Sequence, residues 1–102
     1  MKYQLVLQWS ASSMADYDIM ISVEDSLAEG MSVMHEVDGH DVGLSEVNIF
    51  IHTDDPTIAF REAATILDEQ EYWSQVRVAY REVTRSEYKI LWPEDLLEFS
   101  VA

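Results

Sequence analysis

The chain has 102 residues, 48% hydrophobic and 11% aromatic, with twenty acids against six Lys and Arg for a formal net charge of −14. That length fits one domain, residues 1–102, large enough to bury a core without staples. The absence of cysteine excludes disulfides, thiolate nucleophiles and cysteine-held metal centres, and the acidity argues against nucleic acid as a partner.

The charge is unevenly spread. Residues 10–71 hold fifteen acids and one base, Arg61, a net of −14. Outside them Lys2, Arg77, Arg81, Arg85 and Lys89 balance Glu82, Glu87, Glu94, Asp95 and Glu98. No run approaches the roughly 18 consecutive apolar residues of a membrane helix. The small residues Ala11 to Ala15 resemble a cleavage site, but Gln4 and Gln8 interrupt the stretch before them. A cytoplasmic protein with no membrane partner is the expectation.

Residues 3–9 alternate, with Tyr3, Leu5, Leu7 and Trp9 facing one way, which predicts a half-buried strand. After a loop, Asp16 or Asp18 can cap a helix in which Tyr17, Met20, Ile21, Glu24, Leu27 and Ala28 follow the 3.6-residue period. Gly30 suits a left-handed position just past its end. Ser32 to Val37 predicts a second strand, and Asp38-Gly39 with Gly43 marks a turn region.

Glu46 to Thr53 is the clearest strand, with Val47, Ile49 and Ile51 on one face. Asp54-Asp55-Pro56 is a specific helix start: an acidic cap, then proline at the first helical position. Phe60, Ala63, Ala64 and Leu67 form the stripe of that helix. Ser74 to Val83 alternates again, and a short strand at Tyr88 to Trp92 ends at Pro93. The tail from Glu94 is expected to add a helical turn or to pair at an edge.

The order β-α-β-β-α-β plus one strand predicts an α+β, ferredoxin-like βαββαβ plait with an extra C-terminal strand. Its antiparallel sheet would carry two helices on one face and hold the first and third strands centrally. The other face would then be open, displaying Gln4, Gln8, Asn48, Phe50, His52, Gln75, Arg77 and Arg81. Arginine beside an aromatic is an interface signature, so Asn48, Phe50, His52, Arg77 and Arg81 are candidate binding residues. Arg77 and Arg81 would stand about 13 Å apart along one strand, too far to act as one clamp. A second copy could cover this face as a homodimer.

The densest polar group is His35, Glu36, Asp38, His40, Asp41 and Glu46, with Asn48 and His52 on the following strand. Imidazoles and carboxylates together can hold a divalent ion or transfer protons. Asp38, His40, Asp41 and Glu46 therefore join the candidate binding residues. The simpler reading is that Asp38 and Asp41 bond backbone amides in a turn. No His-x-x-x-His, calcium-loop, Gly-x-Ser-x-Gly or phosphate-loop pattern is present. No catalytic residue, metal or cofactor is assigned. Trp9, Trp73 and Trp92 read as core or rim packing.

Val37-Asp38-Gly39-His40-Asp41-Val42-Gly43, Glu46-Val47-Asn48-Ile49-Phe50-Ile51, Asp54-Asp55-Pro56 and Val76 to Val83 resemble a group of small bacterial proteins with no assigned activity. The resemblance implies a bacterial plait protein and carries over no site residue. Small acidic immunity proteins, which neutralise basic toxin domains, are an analogy in size and charge. The functional expectation is a non-enzymatic, acidic interaction module with a basic protein partner. The alternative is a small dimeric enzyme, or a small-molecule or metal binder, that uses Asp38, His40, Glu46 and His52.

Overall fold

The computed structural model describes residues 1–10, 17–43, 46–68 and 71–101. The strands are β1 (Tyr3–Ser10), β2 (His35–Val42), β3 (Glu46–Thr53), β4 (Arg77–Glu82) and β5 (Lys89–Trp92). The helices are α1 (Tyr17–Gly30) and α2 (Pro56–Leu67), with a 3-10 turn at Glu71–Gln75 before β4. One five-stranded sheet runs β2-β3-β1-β4-β5, and every neighbouring pair is antiparallel. The strand order is consistent with a plait-like fold. Strands β1 and β3 lie inside the sheet, as expected, and β5 extends it beyond β4.

Alternation builds the core. Leu5, Leu7, Trp9, Val47, Ile49, Ile51, Val76 and Val78 share one cluster with Met20, Val23 and Leu27 of α1 and Ala59, Ala63 and Leu67 of α2. Each large aliphatic side chain buried there contributes about 1.5–3 kcal/mol of apolar transfer. Asp55 caps α2 by accepting from the Ile58 N–H at 3.1 Å, and Pro56 takes the first helical position. Asp54 does not cap. Its carboxylate accepts from the backbone N–H of Lys2 at 3.0 Å and ties the start of β1 to the end of β3.

Three local expectations need correction. Asp38-Gly39 is not a hairpin turn: β2 runs through it to Val42, and the register with β3 shifts between Val37 and Gly39. The pair is a bulge, and Gly39 takes its φ of +148°, a backbone conformation that disfavours side chains. The bend into β3 lies further on, where Gly43 N–H donates to Glu46 O at 2.9 Å, with residues 44–45 outside the described ones. Gly30 is the last residue of α1 and has no positive φ. It is small because a Cβ there would lie 2.9 Å from Ile66 Cδ1 of α2. The expected capping by Asp16 or Asp18 falls on a residue and a side chain outside the described ones.

Among the described residues, no helix is long and apolar enough to cross a membrane.

Candidate functional site

The second face of the sheet is ordered by cross-strand register. One row reads Arg77, Gln8, Asn48 and Asp41 across β4, β1, β3 and β2. Another reads Arg81, Gln4, His52 and Glu36. Ala79, Val6, Phe50 and Gly39 lie between them. The sequence parity placed the candidates Asn48, Phe50, His52, Arg77 and Arg81 on this face, and the register agrees.

The face is not open, however. Val6, Gln8, Asn48 and Ala79 are buried although they point away from the helices. The C-terminal segment reaches this face at Gln8. It neither pairs at an edge nor adds a helix; a turn, with Leu96 N–H donating to Pro93 O, leads it back over the sheet. Gln8 Nε2 donates to Ser100 O at 2.9 Å and to Asn48 Oδ1 at 3.0 Å. Phe99 packs on Tyr88 with ring centroids 5.1 Å apart. Asn48 Nδ2 is left buried without a hydrogen-bond acceptor.

The two arginines are engaged differently. Arg77 lies 3.9 Å from Glu46, and both line a groove with Gln8, Glu98, Phe99 and Ser100. Arg81 Nε donates to Gln4 Oε1 at 3.1 Å, and Nη1 donates to the carbonyl oxygens of Glu82, Val83 and Arg85. Arg81 therefore fastens the turn after β4. It also lines a cavity of about 120 Å³ with Tyr3, Tyr80, Arg85 and Lys89.

The histidines and acids of β2 and β3 do not gather. His40 Nδ1 meets Glu24 Oε2 of α1 at 2.9 Å, while His52 Nε2 stands 3.6 Å from Asp38 Oδ2 on the other face. The bulge is the cause. It inserts one residue, so His40 pairs with core-facing Ile49 instead of following the parity of Glu36. A one-residue slip sends every later side chain to the opposite face. Asp41 is exposed, and Glu46 faces Arg77. Among the described residues, no three His, Asp or Glu side chains are grouped to hold a metal ion.

One polar network escaped the sequence. The His35 side chain is fully buried, with Nδ1 2.7 Å from Thr53 Oγ1 and Nε2 3.0 Å from Glu62 Oε2. Glu62 also accepts from the backbone N–H of Ser32 at 2.8 Å and from its hydroxyl at 3.1 Å. The Ser32 N–H, followed by the contacts to His35 and to the Ser32 hydroxyl, holds the Glu62 carboxyl below its ordinary range against a partial opposition from burial. Hydroxyl, imidazole and carboxylate stand in the order of a catalytic triad. Thr53 is fully buried, however, and its oxygen accepts from the Asp55 N–H at 2.9 Å. No substrate can reach that oxygen, so the network braces α2 against β2. The sequence placed His35 in a strand, but its partner lies 27 residues away, where no local pattern pairs them.

The third accessible feature is aromatic. Phe60 of α2 packs on Trp73 with centroids 6.2 Å apart, and together with Ser74 and Trp92 they line a groove of about 260 Å³. Trp92 also borders a second depression with Pro93, Glu94 and Asp95. Trp9 is in the core, Trp73 is half-buried, and Trp92 is 43% exposed. No protein-family model matches the chain, and neither a curated protein nor a solved structure matches it.

Proposed function

We propose that this chain is a ferredoxin-like plait that works as a non-enzymatic, acidic interaction module in the cytoplasm and binds a basic protein. The observation that carries the reading is the charge, −14 over 102 residues, displayed on several sides of the molecule. Exposed carboxylates occur on α1 (Asp25, Glu29), on β2 (Glu36, Asp38, Asp41) and on the C-terminal segment (Glu94, Asp95, Glu98). A field of one sign speeds encounter with an oppositely charged partner by about 10- to 1,000-fold and fades as salt rises. The same field disfavours nucleic acid. His40, His52 and Glu46 sit in three separate pairs, and this weighs against the enzyme or metal-binding alternative. A second copy on the sheet face would meet the segment that carries Ser100, so the reading puts the contact on the carboxylates.

The test is affinity capture from native lysate at low salt, with a salt wash and mass spectrometry. The expected result is one basic protein in stoichiometric amount, released by salt and held more weakly by the variant carrying Glu36→Lys, Asp38→Lys and Asp41→Lys. An empty bait, or a captured protein indifferent both to salt and to charge reversal, overturns the reading.

A further inference from the structure

We propose that Phe60, Trp73 and Trp92, with Glu94 and Asp95 beside them, form a seat for an arginine side chain of a basic protein. The proposal rests on the interaction-module reading and names the contact within it. Three observations carry it. First, the groove lined by Phe60, Trp73, Ser74 and Trp92 presents aromatic rings to solvent. A guanidinium stacked within about 6 Å of an indole is attracted to the ring face, and tryptophan is the strongest partner of this kind. Second, Trp92 is shared between that groove and the depression holding Glu94 and Asp95. A guanidinium stacked on Trp92 thus has two exposed carboxylates beside it, and arginine can bond a carboxylate through two N–H groups at once. Third, the charge selects the occupant. The chain carries −14, and the segment from Pro93 to Ser100 has three acids and no base. An acidic or neutral apolar peptide gains nothing from that field, whereas a cationic one does.

The seat also has the make-up of an interface hot spot. Tryptophan and arginine dominate such positions, and they pair across the boundary within a rim that excludes water. The site lies beside β5, at the sheet edge opposite β2. The general acidity would bring a basic partner near, and the rings would fix where it sits.

The experiment follows the three indole N–H resonances while tri-arginine, tri-lysine or tri-glutamate peptide is added to the full chain. Trp9 is fully buried and serves as the internal reference. With tri-arginine, the Trp73 and Trp92 signals should move saturably while Trp9 stays in place. Tri-lysine should bind several-fold more weakly and tri-glutamate should not register. Trp92→Ala should weaken tri-arginine binding about tenfold, and the pair Glu94→Gln with Asp95→Asn should weaken it severalfold. An unmoved Trp9 signal reports that each variant is folded. Trp92→Leu, which keeps an apolar side chain, should behave like Trp92→Ala.

Binding that leaves Trp73 and Trp92 unmoved overturns the seat but leaves a basic partner in place. Equal response to arginine and lysine overturns the stacking assignment. No response to any peptide also overturns the seat, and lysate capture then decides the broader reading by itself.

Discussion

Glu62 collects bonds from three donors on two elements: the Ser32 N–H, the Ser32 hydroxyl and the His35 imidazole. Its carboxyl is held below the ordinary range in the fold, first by the Ser32 N–H. The sign of the pH dependence follows. The carboxylate contributes stability in full above the unfolded-state value and loses it as pH falls through the lower folded-state value. Urea midpoints measured from neutral pH down to the acid range should therefore fall less steeply for Glu62→Gln than for the parent. Removing the group with Glu62→Ala leaves a buried imidazole nitrogen unpaired and should cost about 1.5–3 kcal/mol at neutral pH. The two glycines separate strain from crowding. A Cβ at Gly39 meets nothing within 4 Å, so Gly39→Ala should cost about 1–3 kcal/mol through φ alone. At Gly30 the obstacle is the flexible end of Ile66, which can turn aside. Gly30→Ala should therefore cost less than Gly39→Ala in the same unfolding assay.

Among the elements, those with strong local signals were legible. β3 matches its predicted span of Glu46 to Thr53, because alternation and the Asp-Pro helix start bracket it on one side. β1 runs one residue past its prediction. β2 was misplaced, since a glycine with positive φ serves a turn and a bulge equally well, and local sequence does not separate them. That error carried into the site: His40, expected in a turn region, lies in the strand and pairs with Ile49. The strand predicted from Ser74 starts later, at Arg77, because residues 71–75 form a 3-10 turn. The C-terminal segment has neither period, so nothing in it announces that it covers the sheet. Its anchors, Gln8 to Ser100 and Tyr88 to Phe99, are formed by tertiary contact. Deleting residues 94–102 should expose Val6, Phe50 and Ala79 with Asn48. The shortened chain should unfold at lower urea, and its mass in sedimentation should rise through self-association. A shortened chain of unchanged mass and equal stability would show that the segment covers the face without supporting it.

At the scale of the whole molecule, like charge works against compaction. Arginine ion pairs such as Glu46–Arg77 and Glu82–Arg85 leave the −14 in place, because that net figure already counts the arginines. Between about 0.01 M and 1 M salt the screening length falls from about 30 Å to about 3 Å. The melting temperature should therefore rise with sodium chloride over that range, because self-repulsion is screened more than attraction. A fold held mainly by surface ion pairs would show the opposite slope. The affinity for a basic partner should decline over the same range, so stability and binding should respond to salt in opposite directions.

The bulge at Asp38-Gly39 has a further consequence, since β2 is an edge strand of the sheet among the described residues. An exposed strand edge is a template on which identical chains stack into fibrils. Here the edge is interrupted by one extra residue and carries Glu36, Asp38 and Asp41, all exposed. The interruption is geometric and independent of solution conditions, whereas the charge vanishes as acid protonates the carboxylates. The two guards against stacking therefore fail under different conditions. Acid alone should leave the chain dispersed, and loss of the bulge alone should be tolerated at neutral pH. The combination, a chain lacking Gly39 held near its isoelectric point, is where fibrils should first be seen.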